Sequence, residues 1–175
     1  VDGDLTGLAY CVGSIDIRPL ARSSSDDFAK SYALIVIGAA MAVKAAAKSL
    51  RASERGSIVL FSTVAAQQGF ANHAVIASAK AGIEGLTVSL AAELAPHIRV
   101  NAIAPSLTDT PIAAPLIASP AVAKSLSQMH PLQRLGTPED HAGLASFLLS
   151  GASGWISGQI IGVDGGRGRL RTSRG

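Results

Sequence analysis

The chain of 175 residues is 48% hydrophobic and 4% aromatic, a composition that fits one domain with an aliphatic core and excludes an intrinsically disordered protein. Its formal net charge of +3 is a local excess, because Arg167, Arg169, Arg171 and Arg174 lie together near the C-terminus and the remainder of the chain carries −1. No basic stripe interleaved with stacking aromatics accompanies them, so no nucleic-acid partner is expected.

Cys11 is the only cysteine, which rules out an internal disulfide and suits a reducing compartment. The longest uncharged apolar run, Ala33 to Val43, ends at Lys44 and is too short to span a bilayer. No signal-peptide pattern opens the sequence either. The expectation is a cytoplasmic protein without a membrane partner.

In chain order, the first apolar strand is Leu8 to Cys11, closing at Val12-Gly13. Ser24 or Ser25, with Asp26 and Asp27, supplies a cap and first-turn carboxylates for a helix from Asp27 to about Leu50. That helix is apolar on more than one face between Ala33 and Ala47. It therefore needs cover on two sides.

The stretch from Gly56 to Pro111 organises the rest. It reads as a strand from Ser57 to Phe61, a polar turn, a long helix of small and apolar residues, a strand from Arg99 to Ile103 and a loop opened by Pro105. Such a crossover places the carboxyl ends of both strands on one edge of a parallel sheet, where open α/β sheets bind ligands. Beyond it come two short helical pieces, Pro111 to Ile117 and Ser119-Pro120 onward. A helix capped by Thr137 then runs to about Leu149, and a last strand covers Gly158 to Val163. A domain spanning 1–166 and a solvated basic tail over 167–175 are expected, with no internal repeat.

Several motifs now carry a resemblance. Ser62-Thr63, then Ala77-Ser78-Ala79-Lys80 with the helix AGIEGLT, then RVNAIAP at Arg99 to Pro105, DTP at Asp109 to Pro111 and GQIIGVDGG at Gly158 to Gly166 together resemble the short-chain dehydrogenase/reductase family. The similarity runs from about Leu8 to Gly166. It implies an α/β fold, a three-layer Rossmann-like parallel sheet flanked by helices. It also implies hydride transfer between NAD or NADP and a carbonyl or alcohol substrate, and a homo-oligomer joined through the two long helices.

The resemblance also assigns roles. Lys80 would hold the nicotinamide ribose and Thr63 the substrate oxygen; Gly13, Pro105, Thr108 and Thr110 would line the cofactor. Two departures stand out. The family's proton-transferring Tyr, four residues before the Lys, is Ile76 here, and its water-holding Asn, three residues before Gly38, is Ile35. Neither side chain can carry a proton. His73, one turn before Ile76 and with a near-neutral ordinary pKa, is the best substitute acid; Ser78 and Tyr32 are weaker ones.

No glycine-rich dinucleotide turn precedes the Tyr10-Cys11-Val12-Gly13 strand, so the family's first strands and that turn are absent. The preferred reading is an N-terminally incomplete sequence that binds dinucleotide weakly. The alternative is a non-catalytic scaffold or oligomerisation subunit, a natural short pseudoenzyme.

Overall fold

The computed structural model describes residues 5–172. Four parallel strands form one sheet in sequential order: β1 (Gly7–Tyr10), β2 (Gly56–Phe61), β3 (Ile98–Pro105) and β4 (Ile160–Val163). Between them lie the helices α1 (Ser25–Tyr32), α2 (Gly38–Ala52), α3 (Ala74–Leu94), α4 (Pro120–Ser127) and α5 (Pro138–Leu149). The expected α/β class and the β2–α3–β3 crossover are both present.

The sheet separates two cores because successive strand residues point to opposite faces. Ile58, Leu60 and Val100 face the layer made by Val43 and Leu50 of α2 and Ile76 and Ile83 of α3. Val59 and Ile103 face the other way, onto Leu148 of α5. This alternation makes the three-layer arrangement. Ile58, Val59, Leu60, Val100 and Ile103 are all fully buried, so a one-residue register slip would exchange the two cores.

The first long helix is continuous from Ser25 to Ala52 but is not uniform, since α1 and α2 are joined by a π turn at Ala33–Ile37. A π turn disturbs the regular i→i−4 pattern, and there the Leu34 carbonyl accepts the Tyr10 hydroxyl at 2.8 Å. Its start is as expected: Ser24 accepts from the Asp27 N–H, and the Asp27 side chain accepts from the Ser24 N–H, closing a capping box. Thr137 and Asp140 repeat that arrangement at α5.

Two details differ from the sequence reading. The helical runs Ser25–Ala52 and Ala74–Leu94 are both long and apolar enough to cross a bilayer by length and composition, because a single Lys44 does not interrupt the first. Here both pack on one face of the sheet, contributing Val43 and Ile83 to the same core. Order also continues past Gly166: Arg167 N–H donates to Asp164 O and Leu170 N–H to Gly166 O. The Arg167 guanidinium lies 4.9 Å above the Phe70 ring, so this part of the basic segment is folded back onto the domain.

Candidate active site

The carboxyl ends of β2 and β3 gather most of the residues singled out from sequence. Phe61 ends β2, and its carbonyl accepts a hydrogen bond from Lys80 Nζ at 2.7 Å. Two residues on, Thr63 Oγ1 donates to the Pro105 carbonyl at 3.3 Å and accepts from Ala65 N–H at 3.3 Å. Gly13 completes the group from the loop after β1: a side-chain carbon on it would lie 3.5 Å from Lys80 Nζ. Its lack of a side chain leaves open the approach to the amine.

Burial pushes the Lys80 amine down to about 8, opposed by the nearby Cys11 thiol, whose thiolate form would favour the cation. The Cys11 thiol is itself pushed up by burial more than Lys80 draws it down. A lysine of this kind can be a cation that grips ribose hydroxyls, or a neutral amine, within an accessible pH range. Beneath it, Ser62 Oγ donates to Glu84 Oε1 at 2.7 Å, and Gln67 Nε2 donates to the same carboxylate at 3.1 Å. This polar floor was not anticipated from sequence.

The two isoleucines at the departing positions are buried. Ile76 is 6% exposed and Ile35 is 1% exposed, both packed into the core cluster. His73 stands at the N-terminal boundary of α3, where its Nδ1 lies 2.7 Å from the Ala71 carbonyl and its ring meets Phe70 edge-on, 5.5 Å between centroids. Its ring is therefore pinned to the turn preceding the helix.

The loop after Pro105 holds two histidine pairs. Ser106 Oγ is 2.8 Å from His130 Nε2, and Thr108 Oγ1 is 2.8 Å from His141 Nε2. Thr108 Oγ1 also donates to the Ser106 carbonyl at 3.0 Å, and Thr110 Oγ1 to the Thr108 carbonyl at 3.4 Å. Both histidines are buried, at 2% and 8% exposure, and burial lowers the pKa of each. The histidines come from segments 24 and 33 residues away, and sequence spacing gives no sign of such pairings.

Four parallel strands flanked by helices, with a partly buried lysine and threonine hydroxyls on their carboxyl edge, define a Rossmann-like class of fold. The comparisons narrow it. Residues 2–167 match the family model described as enoyl-(acyl carrier protein) reductase. A human (3R)-3-hydroxyacyl-CoA dehydrogenase is 35% identical over 158 residues, 89% of this chain and 60% of the human protein. An inactive 2-(S)-hydroxypropyl-CoM dehydrogenase of Xanthobacter autotrophicus is 33% identical, covering 94% of this chain and 74% of that one. Among solved structures, a short-chain type dehydrogenase/reductase from Mycobacterium ulcerans superposes with a TM-score of 0.89 at 33% identity, over 97% of this chain and 62% of the other. A gluconate 5-dehydrogenase from Burkholderia cenocepacia, in complex with NADP and tartrate, gives 0.91 at 26% identity, over 97% and 67%. The chain belongs to the short-chain dehydrogenase/reductase family. It spans about 60% of the length of the human relative it matches.

Proposed function

We propose that this chain carries part of the active site of an oxidoreductase that exchanges hydride between NAD or NADP and a small carbonyl or alcohol. The observation that carries this reading is Lys80, partly buried beside Gly13, with its amine 2.7 Å from the Phe61 carbonyl on the ligand-binding edge of the sheet. Lys80 would hold the nicotinamide ribose, and Pro105, Thr108 and Thr110 would line the nicotinamide and phosphates. The donor set fits: an amine of lowered pKa and short hydroxyls are suited to sugar and phosphate oxygens. When bound, the dinucleotide supplies the hydride.

The chain's own residues then have defined tasks. Thr63 would orient the substrate oxygen once its hydroxyl proton, now donated to Pro105 O, turns toward the site; Ala65 N–H holds its oxygen in place meanwhile. Lys80 stabilises negative charge on that side of the site. His73 is the proton donor of this reading; its imidazole must turn from Ala71 O toward the site to act. Titration of NADPH and NADH by nicotinamide fluorescence, against wild type and Lys80→Met, tests the reading. Saturable binding weakened at least about tenfold by the substitution supports it. Equal binding by both removes Lys80 from the cofactor site.

A second reading is favoured by a specific observation. Tyr32, Leu34, Ile37, Met41 and Val88 are all 41–52% exposed on the two long helical runs, and Ile76 offers no proton. An apolar face of this kind suits a second copy of the chain, giving a homo-oligomer that serves as scaffold. Absence of dinucleotide binding, together with a dimer or tetramer in analytical ultracentrifugation that Ile37→Glu dissociates, would select it.

A further inference from the structure

We propose that Ser106 and His130 form a nucleophile–base pair able to cleave small acyl esters, an activity separate from hydride transfer and independent of any dinucleotide. Ser106 follows the last residue of β3, on the carboxyl edge of the sheet, and lines a cavity of about 330 Å³. His130 lines the same cavity with Leu132, Arg134, Gly165 and Gly166. That volume lies at the lower end of small-ligand pockets and admits a short acyl group.

The hydrogen bonds decide the direction of proton flow. His130 Nδ1 lies 3.0 Å from the Leu126 carbonyl, and a carbonyl can only accept. The ring proton therefore sits on Nδ1, and Nε2 presents its lone pair to Ser106 Oγ at 2.8 Å. The serine hydroxyl is the donor. Nucleophile, base and a third group that fixes the base's tautomer are thus in line, a backbone carbonyl here taking the orienting role. Gly165 packs against the imidazole, since a side-chain carbon at that glycine would sit 3.6 Å from His130 Cδ2.

The neighbouring pair is wired the opposite way. Thr108 has one hydroxyl proton, and it is given to the Ser106 carbonyl at 3.0 Å. His141 Nε2–H must then donate to Thr108 Oγ1, which leaves Nδ1 as the buried atom without a partner. That histidine cannot draw a proton from Thr108. Among the two pairs, only Ser106–His130 has the polarity a nucleophile needs.

The chemistry balances with water as the only co-reactant. Ser106 Oγ attacks the ester carbonyl carbon while its proton passes to His130 Nε2; the carbon–oxygen bond to the alcohol breaks, and the alcohol leaves with that proton. Water, deprotonated by the same nitrogen, then cleaves the acyl–Oγ bond to give the acid and restore both residues. Burial keeps His130 neutral and competent as a base down to mildly acidic pH, with Arg167 opposing and Asp164 favouring its charged form.

The test uses a fluorophosphonate probe, with the modified residue located by mass spectrometry, and hydrolysis of p-nitrophenyl acetate without added dinucleotide. Labelling at Ser106, lost in His130→Gln, is expected. Ester hydrolysis should fall at least about 100-fold in Ser106→Gly and Ser106→Ala, with circular dichroism unchanged. In wild type the rate should rise to a plateau with a midpoint below about 6.5, the ordinary histidine value. Failure of the probe to label wild type, labelling that persists in His130→Gln, or hydrolysis that survives in folded Ser106→Gly would each overturn the proposal.

Discussion

Ile76 and Lys80 sit one turn apart on α3, the first sealed in the core at 6% exposure and the second turning its amine to the Phe61 carbonyl at 2.7 Å. A phenol placed at position 76 would project near that amine and lose its proton more readily. Ile76→Tyr is therefore expected to titrate below the ordinary tyrosine value of about 10. The larger ring should cost about 1–3 kcal/mol of stability through overpacking. Ultraviolet difference titration, with Tyr10 and Tyr32 as the wild-type background, reads the first effect and urea unfolding the second. A new phenol titrating at or above about 10 would show that burial at position 76, which favours the neutral phenol, outweighs the Lys80 charge.

Lys80 also makes stability depend on pH. Its folded pKa is lowered to about 8 by burial, so the unfolded chain binds more protons between that value and the ordinary lysine value of about 10.4. The stabilising contribution is complete above the upper value and is lost as pH falls through about 8. Lys80→Met should flatten unfolding free energy across that window. A slope unchanged by the substitution would place the dependence elsewhere.

His130 and His141 set a second, acidic window. Both are lowered by burial, against Asp140 for His141 and Asp164 for His130, which favour the charged forms, and with Arg167 adding to the effect at His130. Stability is present above the ordinary value of about 6.5 and declines as pH falls toward the lowered folded values. His141→Leu removes one of the two groups and the orphaned Nδ1, so its acid loss should be shallower than that of wild type. Thermal melts across mildly acidic pH would measure it; a steeper loss in the variant contradicts the assignment.

How much of this was legible in the sequence depends on the distance over which each feature is determined. The strands, the Ser24 and Thr137 caps and the β2–α3–β3 crossover come from local patterns, and they stand in the structure within a few residues of where periodicity and capping signals put them. Lys80 and Thr63 were found because the motifs around them resemble those of the short-chain dehydrogenase/reductase family. The π turn at Ala33–Ile37 was not legible, since it coincides with a contact from Tyr10, which is 24 residues from Leu34. Ser106–His130 was missed for the same reason. One partner follows β3 and the other follows α4, and only the tertiary fold brings them to 2.8 Å.

The C-terminal end of α5 is held by one guanidinium, and this too can be tested. Arg99 on β3 donates to Leu148 O at 3.0 Å, Ser153 Oγ at 2.7 Å and Ser150 O at 2.9 Å. It thereby answers carbonyls that a helix terminus leaves without intrahelical donors. Ser57 Oγ and Ser153 Oγ also donate to Leu148 O, at 2.7 and 2.9 Å. Because that acceptor has three donors, Ser57→Ala leaves it satisfied and should cost less than about 1 kcal/mol. Arg99→Ala removes the fork from several acceptors at once and should cost about 2–3 kcal/mol. Arg99→Lys should recover only part of the loss, since a point charge cannot reproduce the fork. Urea unfolding of the three variants checks the order. A Ser57→Ala loss as large as that of Arg99→Ala would mean that the strand serine, not the arginine, anchors α5 to the sheet.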